Sequence, residues 1–275
     1  MKRTLFFSIL ILLNLISKAQ NLVINGSFED YRSLQNNVNY NIKSFCLDCF
    51  FANDWQLPTP TTVDYFNSDS ENLSFSVPYN TFGYHPAQDG NAYIGLIPLN
   101  WDGVGEHLTG TLLEPLEKGK MYKVSFYIRH AGKASRFGFE KIGIHFHERL
   151  FPLGTYDFPF YKDLIEEEHK FDIVTENYCF LFNDSTWSKV EGTYIAKGGE
   201  QYLTLGVFWL GDFYDANKVI AMLNRKSDSL IRENLMQQKK YKKLFPLKEE
   251  FEPIDNMPEG DPYYFIDNVS VIPLR

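Results

Sequence analysis

The sequence predicts an all-β protein built as a two-sheet antiparallel β-sandwich, and three observations carry that expectation. Apolar and polar residues alternate over runs of strand length, the period of a half-buried strand. Gly-bearing turns such as EKGK and AKGGE separate several of those runs and let the backbone reverse. Aromatic residues make up 16% of the 275-residue chain, with 24 Phe and 17 Tyr, a composition that fits pleated surfaces better than helices.

Taken in order, the first element is a leader. Residues 1–19 carry a basic start at Lys2 and Arg3, an apolar run from Leu5 to Ile16, and small residues at Ser17 and Ala19. That is the anatomy of a cleaved secretory signal peptide, and the apolar run is shorter than the roughly 20 residues that span a bilayer. The expected location is secreted, periplasmic or cell-surface, with no transmembrane span in the mature chain. Cleavage would remove three cations and no acid, taking the formal net charge from −8 to −11. So acidic a surface argues against nucleic acid as a partner.

The remainder, 20–275, is expected to be one β-sandwich domain. Strands are predicted near 21–25, 62–66, 91–97, 106–113, 120–130, 140–147, 189–196, 201–209 and 263–272. In KVSFYIRH, Val124, Phe126 and Ile128 share one side, with Ser125, Tyr127 and Arg129 on the other. In KIGIHFHE, Ile142, Ile144 and Phe146 form an apolar face opposite His145 and His147. Two insertions interrupt the pattern, at about 151–182 and 213–260. From Asp215 to about Tyr241 the second has neither Gly nor Pro and repeats apolar residues near helical spacing, so a helix is expected before the last strand. An acidic, Pro-rich loop follows it. The segment 215–260 reads as a solvated cap or as a docking element for a protein partner. Of three cysteines, Cys46 and Cys49 form a lone CxxC that completes neither a zinc site nor a redox fold. A structural disulfide using Cys179 is expected, its partner undetermined by sequence.

Read together, NLVINGSFE, Trp55, DGNAYIGL, PLEKGKMYKVSFYIRHA, STWSKVEGTYIAKGGEQYLTLGVF and YYFIDNVSV occur in an order that resembles the carbohydrate-binding-module-like, galactose-binding-like jelly rolls of exported Bacteroidetes proteins. The resemblance spans most of 21–272 outside the two insertions. It implies a jelly roll whose first and last strands lie side by side, pinned by a structural calcium ion at Glu29 and Asp267, with Asp89 as a third contributor. Calcium takes six to eight oxygens, and two carboxylates brought together without a cation repel one another.

Sugar rings are recognised by aromatic faces and by planar polar side chains. Tyr127, Arg129, His145 and His147, with Tyr202 or Phe208, would share such a face if their strands belong to one sheet, and the loop residues Trp101, Tyr84 and His85 would add to it. The HFHE stretch lacks a third ligand for a transition metal, and there is no HExxH, GxSxG, phosphate loop or dinucleotide fingerprint. The expected function is therefore non-catalytic recognition of a glycan or another cell-envelope component. The alternatives are an envelope structural or adhesion protein and, third, a glycoside hydrolase.

Overall fold

The computed structural model describes residues 20–32, 52–58, 61–98, 105–132, 142–150, 172–174, 186–206 and 262–274. Residues 1–19 with the expected leader, all three cysteines, Trp101, Phe208, the segment 213–260 with its expected helix, and all of 151–182 except 172–174 lie outside the described residues.

The described residues form two five-stranded antiparallel sheets. The first has the order β1 (Trp55–Gln56), β6 (Leu108–Thr111), β11 (Tyr202–Gly206), β8 (Gly143–His147), β9 (Ile173–Val174). The second runs β10 (Ser188–Ile195), β7 (Met121–His130), β12 (Tyr264–Pro273), β5 (Ala92–Leu96), β2 (Asp64–Asn67). From β5 to β8 the chain passes from one sheet to the other at every step, and it does so again from β10 to β12, the winding of a jelly roll. Every expected strand is found except 21–25, which makes a single bridge, Val23 to Leu112. A small hairpin of β3 (Tyr79–Asn80) and β4 (Gly83–Tyr84) and a 3-10 turn at Leu73–Phe75 stand apart from both sheets.

The alternation read in the sequence becomes the core. Leu108, Leu203, Leu205, Ile144 and Phe146 of the first sheet pack with Val124, Phe126, Ile128, Ile94, Leu96, Tyr264 and Ile266 of the second in one buried cluster. On β12 the register shifts between Asp267 and Ser270. The inward parity carried by Tyr264 and Ile266 is therefore recovered at Val269 and Val271, because one extra residue exchanges the two faces of a strand.

The two chain ends meet at that bulge. Leu22 N donates to Val271 O on the second sheet, while Ile24 N donates to Thr111 O and Leu113 N to Leu22 O at the end of β6 on the first. The N-terminal segment thus spans the gap between the sheets. Asn21 extends the ladder with its side chain: Nδ2 donates to Val269 O, and Oδ1 accepts from Val271 N. Gly26 admits the approach, since a Cβ there would stand 2.2 Å from Val269 O.

The outer face of the second sheet carries a second core. Phe66, Tyr93, Tyr263 and Phe265 are buried there under the excursion 68–91, whose Phe75, Phe82 and Ala87 pack onto them. The excursion closes on itself through Ser68 N, which donates to Asn91 O. Among the described residues no helix is long and apolar enough to cross a membrane.

Candidate functional site

The predicted site residues fall into three groups. Tyr127 and Arg129 lie on β7 in the second sheet, whereas His145 and His147 lie on β8 in the first. The single composite face expected for these four does not form, because consecutive strands alternate between the sheets. Tyr127 sits beneath Lys189, whose Nζ is 6.0 Å from the ring centroid. Arg129 is buried under the excursion, and its Nη2 donates to Tyr84 O at 3.4 Å. The ring of Tyr84 is 57% exposed and meets Tyr79, 52% exposed, at 5.0 Å across the hairpin.

The outer face of the first sheet holds the most developed polar arrangement. His145 and His147 project from it together with Tyr202 and Thr204 of β11 and Thr109 and Thr111 of β6, which the pairing places side by side. Three rings stand nearly parallel: His145 to His147 at 6.1 Å and 17°, and His147 to Tyr202 at 5.8 Å and 24°. Beneath them runs a bonded row, His147 Nε2 to Thr204 Oγ1 at 2.8 Å and Thr204 Oγ1 to Thr109 Oγ1 at 2.7 Å. Asp172 closes the other end; its Oδ2 accepts from Phe146 N at 2.8 Å and lies 3.1 Å from His145 Nδ1. Thr204, Thr109 and His145 are buried, and His147, Tyr202 and Thr111 are half-exposed, so the open part of this face is its His147–Tyr202 end. Thr109 and Thr204 were readable from the alternation in HLTGT and YLTLG. Asp172 was not, because it lies inside an insertion with no strand pattern.

The Glu29 and Asp267 carboxylates both accept from backbone N–H groups of residues 88–92, and Asp89 joins them through its backbone N–H. Glu29 Oε1 accepts from Asn91 N and Ala92 N at 2.8 and 2.9 Å. Asp267 Oδ2 accepts from Gln88 N and Asp89 N at 2.9 and 3.1 Å, and its Oδ1 accepts from Asn268 N at 2.6 Å. Each acid adjoins a left-handed residue, Phe28 at φ 62 before Glu29 and Asn268 at φ 49 after Asp267. For buried Phe28 that conformation is costly, which marks the turn as imposed by its surroundings. Gly90 sits at φ 64, where a side chain is strained, and a Cβ there would also crowd the Glu29 carboxylate that the loop holds.

Burial pushes Asp267 up to about 8; the three N–H donors work against that, and the Glu29 carboxylate adds to it. A buried carboxylate raised in this way gains from a cation. Glu29 Oε2 faces the same loop and accepts no N–H among the described residues, which leaves it open to a hard ion. No three side chains of His, Cys, Asp or Glu among the described residues are grouped to hold a metal, so carbonyl oxygens would have to supply the remaining ligands.

A second acidic cluster was not anticipated. Tyr263 OH donates to Asp64 Oδ2, and burial raises Asp64 to about 6. Glu106 accepts from Ile97 N and from the Thr62 hydroxyl; burial, with the Asp64 charge beside it, holds it well above the usual carboxylate range.

No protein-family model and no curated protein sequence matches the chain. Solved structures do. A Stig cyclase from Fischerella sp. TAU aligns over 93% of this chain and 98% of its own at 13% identity and a TM-score of 0.41. The K1 cleaved adhesin domain of Lys-gingipain from Porphyromonas gingivalis W83 aligns over 92% and 97% at 10% identity and a TM-score of 0.35. A family 4 carbohydrate-binding module aligns over 91% and 99% at 11% identity and a TM-score of 0.32. The chain is thus similar to binding modules, an adhesin domain and an enzyme alike, too distantly for any of them to assign its role.

Proposed function

We propose that the protein is an exported, non-catalytic binding module that takes a polyhydroxylated ligand, a glycan of the cell envelope or its surroundings, on the outer face of the first sheet. The observation that supports this is the pair of near-parallel, half-exposed rings of His147 and Tyr202, with half-exposed Thr111 opposite Tyr202 and the buried Thr204–Thr109 hydroxyls bonded behind them. Rings provide contact area for the C–H surface of a sugar, and hydroxyl groups such as those of Tyr202 and Thr111 suit its polar rim. Tyr127, Arg129 and Tyr84 play no part in that face, and Trp101 has no place in the account.

Glycan-array binding by the full chain, repeated with Tyr202→Ala and Tyr127→Ala, tests the reading. Binding should fall at least about tenfold in Tyr202→Ala, the loss of one aromatic contact, and hold in Tyr127→Ala. Binding indifferent to Tyr202, or steady turnover of a polysaccharide, contradicts it.

We further propose that calcium stabilises the module at the 88–92 loop through Glu29, with Asp89 on the same loop and Asp267 behind it as the group that fixes the loop by its N–H bonds. Calcium added after chelation should raise the melting temperature of the wild type and leave Glu29→Gln unchanged. No calorimetric binding and no shift in the wild type would remove the ion from the account.

A further inference from the structure

The hydrogen bonds of His147 assign its tautomer, and the tautomer restricts what the ring can offer a ligand. Nδ1 lies 2.7 Å from Arg149 O. A carbonyl oxygen only accepts, so Nδ1 carries a hydrogen and donates it. In the neutral ring Nε2 is then the acceptor, and its partner at 2.8 Å, Thr204 Oγ1, must donate to it. The Thr204 hydroxyl proton is thereby used, so at 2.7 Å from Thr109 Oγ1 the Thr204 oxygen accepts and the Thr109 hydroxyl donates. In the neutral ring the direction of the whole row, Thr109 to Thr204 to His147 to Arg149 O, follows from that carbonyl.

We infer that His147 is a pinned Nδ1–H imidazole that contributes ring carbon, not hydrogen bonds, to ligand recognition. Both ring nitrogens are engaged with the protein, and Tyr202 lies nearly parallel beside the ring at 5.8 Å. The two rings then act together as an apolar contact for the C–H face of a sugar ring. This selects saccharides by the flatness and C–H content of one face instead of by a particular hydroxyl. The inference rests on the glycan reading above and adds the role of one residue to it.

Two measurements test it. Imidazole 15N shifts of the full chain, recorded at about pH 8, should show a protonated Nδ1 and an unprotonated Nε2 for His147; the opposite tautomer overturns the inference whatever the binding data show. For a glycan that the wild type binds, His147→Phe, which keeps a ring and removes both nitrogens, should retain affinity within about threefold. His147→Gln, which keeps polarity and removes the ring, should weaken it about tenfold. Any other pattern in variants with native melting profiles overturns the role assigned to the ring. A wild type that binds no glycan defeats the functional reading itself and leaves the tautomer to stand or fall on the 15N shifts.

Discussion

The outer faces of the two sheets invite comparison, because the same alternation rule produced both and they do different work. On the second sheet the outward positions carry Phe66, Tyr93, Tyr263 and Phe265, and the chain covers them with its own excursion 68–91. On the first, the outward positions carry His145, His147, Tyr202, Thr109 and Thr204, and the side chains of His147, Thr204 and Thr109 bond in a row. An aromatic outer face covered by its own chain is a second core; the proposed recognition surface differs in that its rings sit among hydroxyls and stay partly open at His147 and Tyr202. Strand period reveals that a face exists; it does not say what lies over it.

Substitutions on the two faces should therefore separate stability from binding. Phe265→Ala removes a buried ring that contacts Phe66, Phe82, Tyr93, Tyr263 and His85, and should cost about 3–5 kcal/mol in chemical denaturation. Tyr202→Ala should cost well under half of that while weakening ligand capture about tenfold. If Tyr202→Ala proves as destabilising as Phe265→Ala, the first sheet's outer face is structural too.

The clasp that holds the excursion against the second sheet comes next in size. Gly90→Ala puts a Cβ against Glu29 at a left-handed position, φ 64, and Asp267→Ala leaves the N–H groups of Gln88 and Asp89 without an acceptor. Each should cost about 2–3 kcal/mol, several degrees in melting temperature. A neutral outcome for both would mean that the excursion is held by its aromatic residues alone.

A pH series sharpens the contrast further, since the excursion buries a histidine. Burial lowers His85 to about 3 from 6.5. Between those values the unfolded chain binds the proton and the folded one does not, so this contribution is intact above pH 6.5 and is lost as pH falls toward 3. The slope is up to about 1.4 kcal/mol per pH unit. Asp64, raised to about 6, acts in the opposite sense: its folded form holds a proton between 3.8 and 6, so its contribution is present below 3.8 and lost as pH rises through 6. Comparing urea midpoints of wild type and His85→Phe at pH 7 and pH 4.5 isolates the histidine, and an equal acid loss in both would refute its role.

The smallest effect belongs to the exposed hairpin tip. Tyr79→Ala and Tyr84→Ala should each change stability by less than about 0.5 kcal/mol and leave glycan capture intact. A loss of capture there would move the binding surface from the first sheet to the excursion.

Much of this was legible before any coordinates. Period-two patterns located β2, β5 to β8 and β10 to β12, and the family resemblance that includes SFE and FIDNV implied that the chain ends converge. Sheet membership was not legible: the alternation in KVSFYIRH and in KIGIHFHE is identical in kind, and only the crossover between them places Arg129 and His147 on opposite sides of the molecule. Asn21 was missed because a side chain that mimics a strand partner has no periodic signature. Asp172 and the Asp64–Tyr263–Glu106 cluster were missed because buried acids leave no pattern in one sequence.

The most direct test of the central claim is an NMR titration of the isotopically labelled chain with a soluble glycan identified by array. The account predicts that shift changes concentrate at Thr111, His147, Tyr202 and their neighbours on the outer face of the first sheet. Changes confined to Tyr79, Tyr84 and Tyr127, with the first sheet silent, would contradict it.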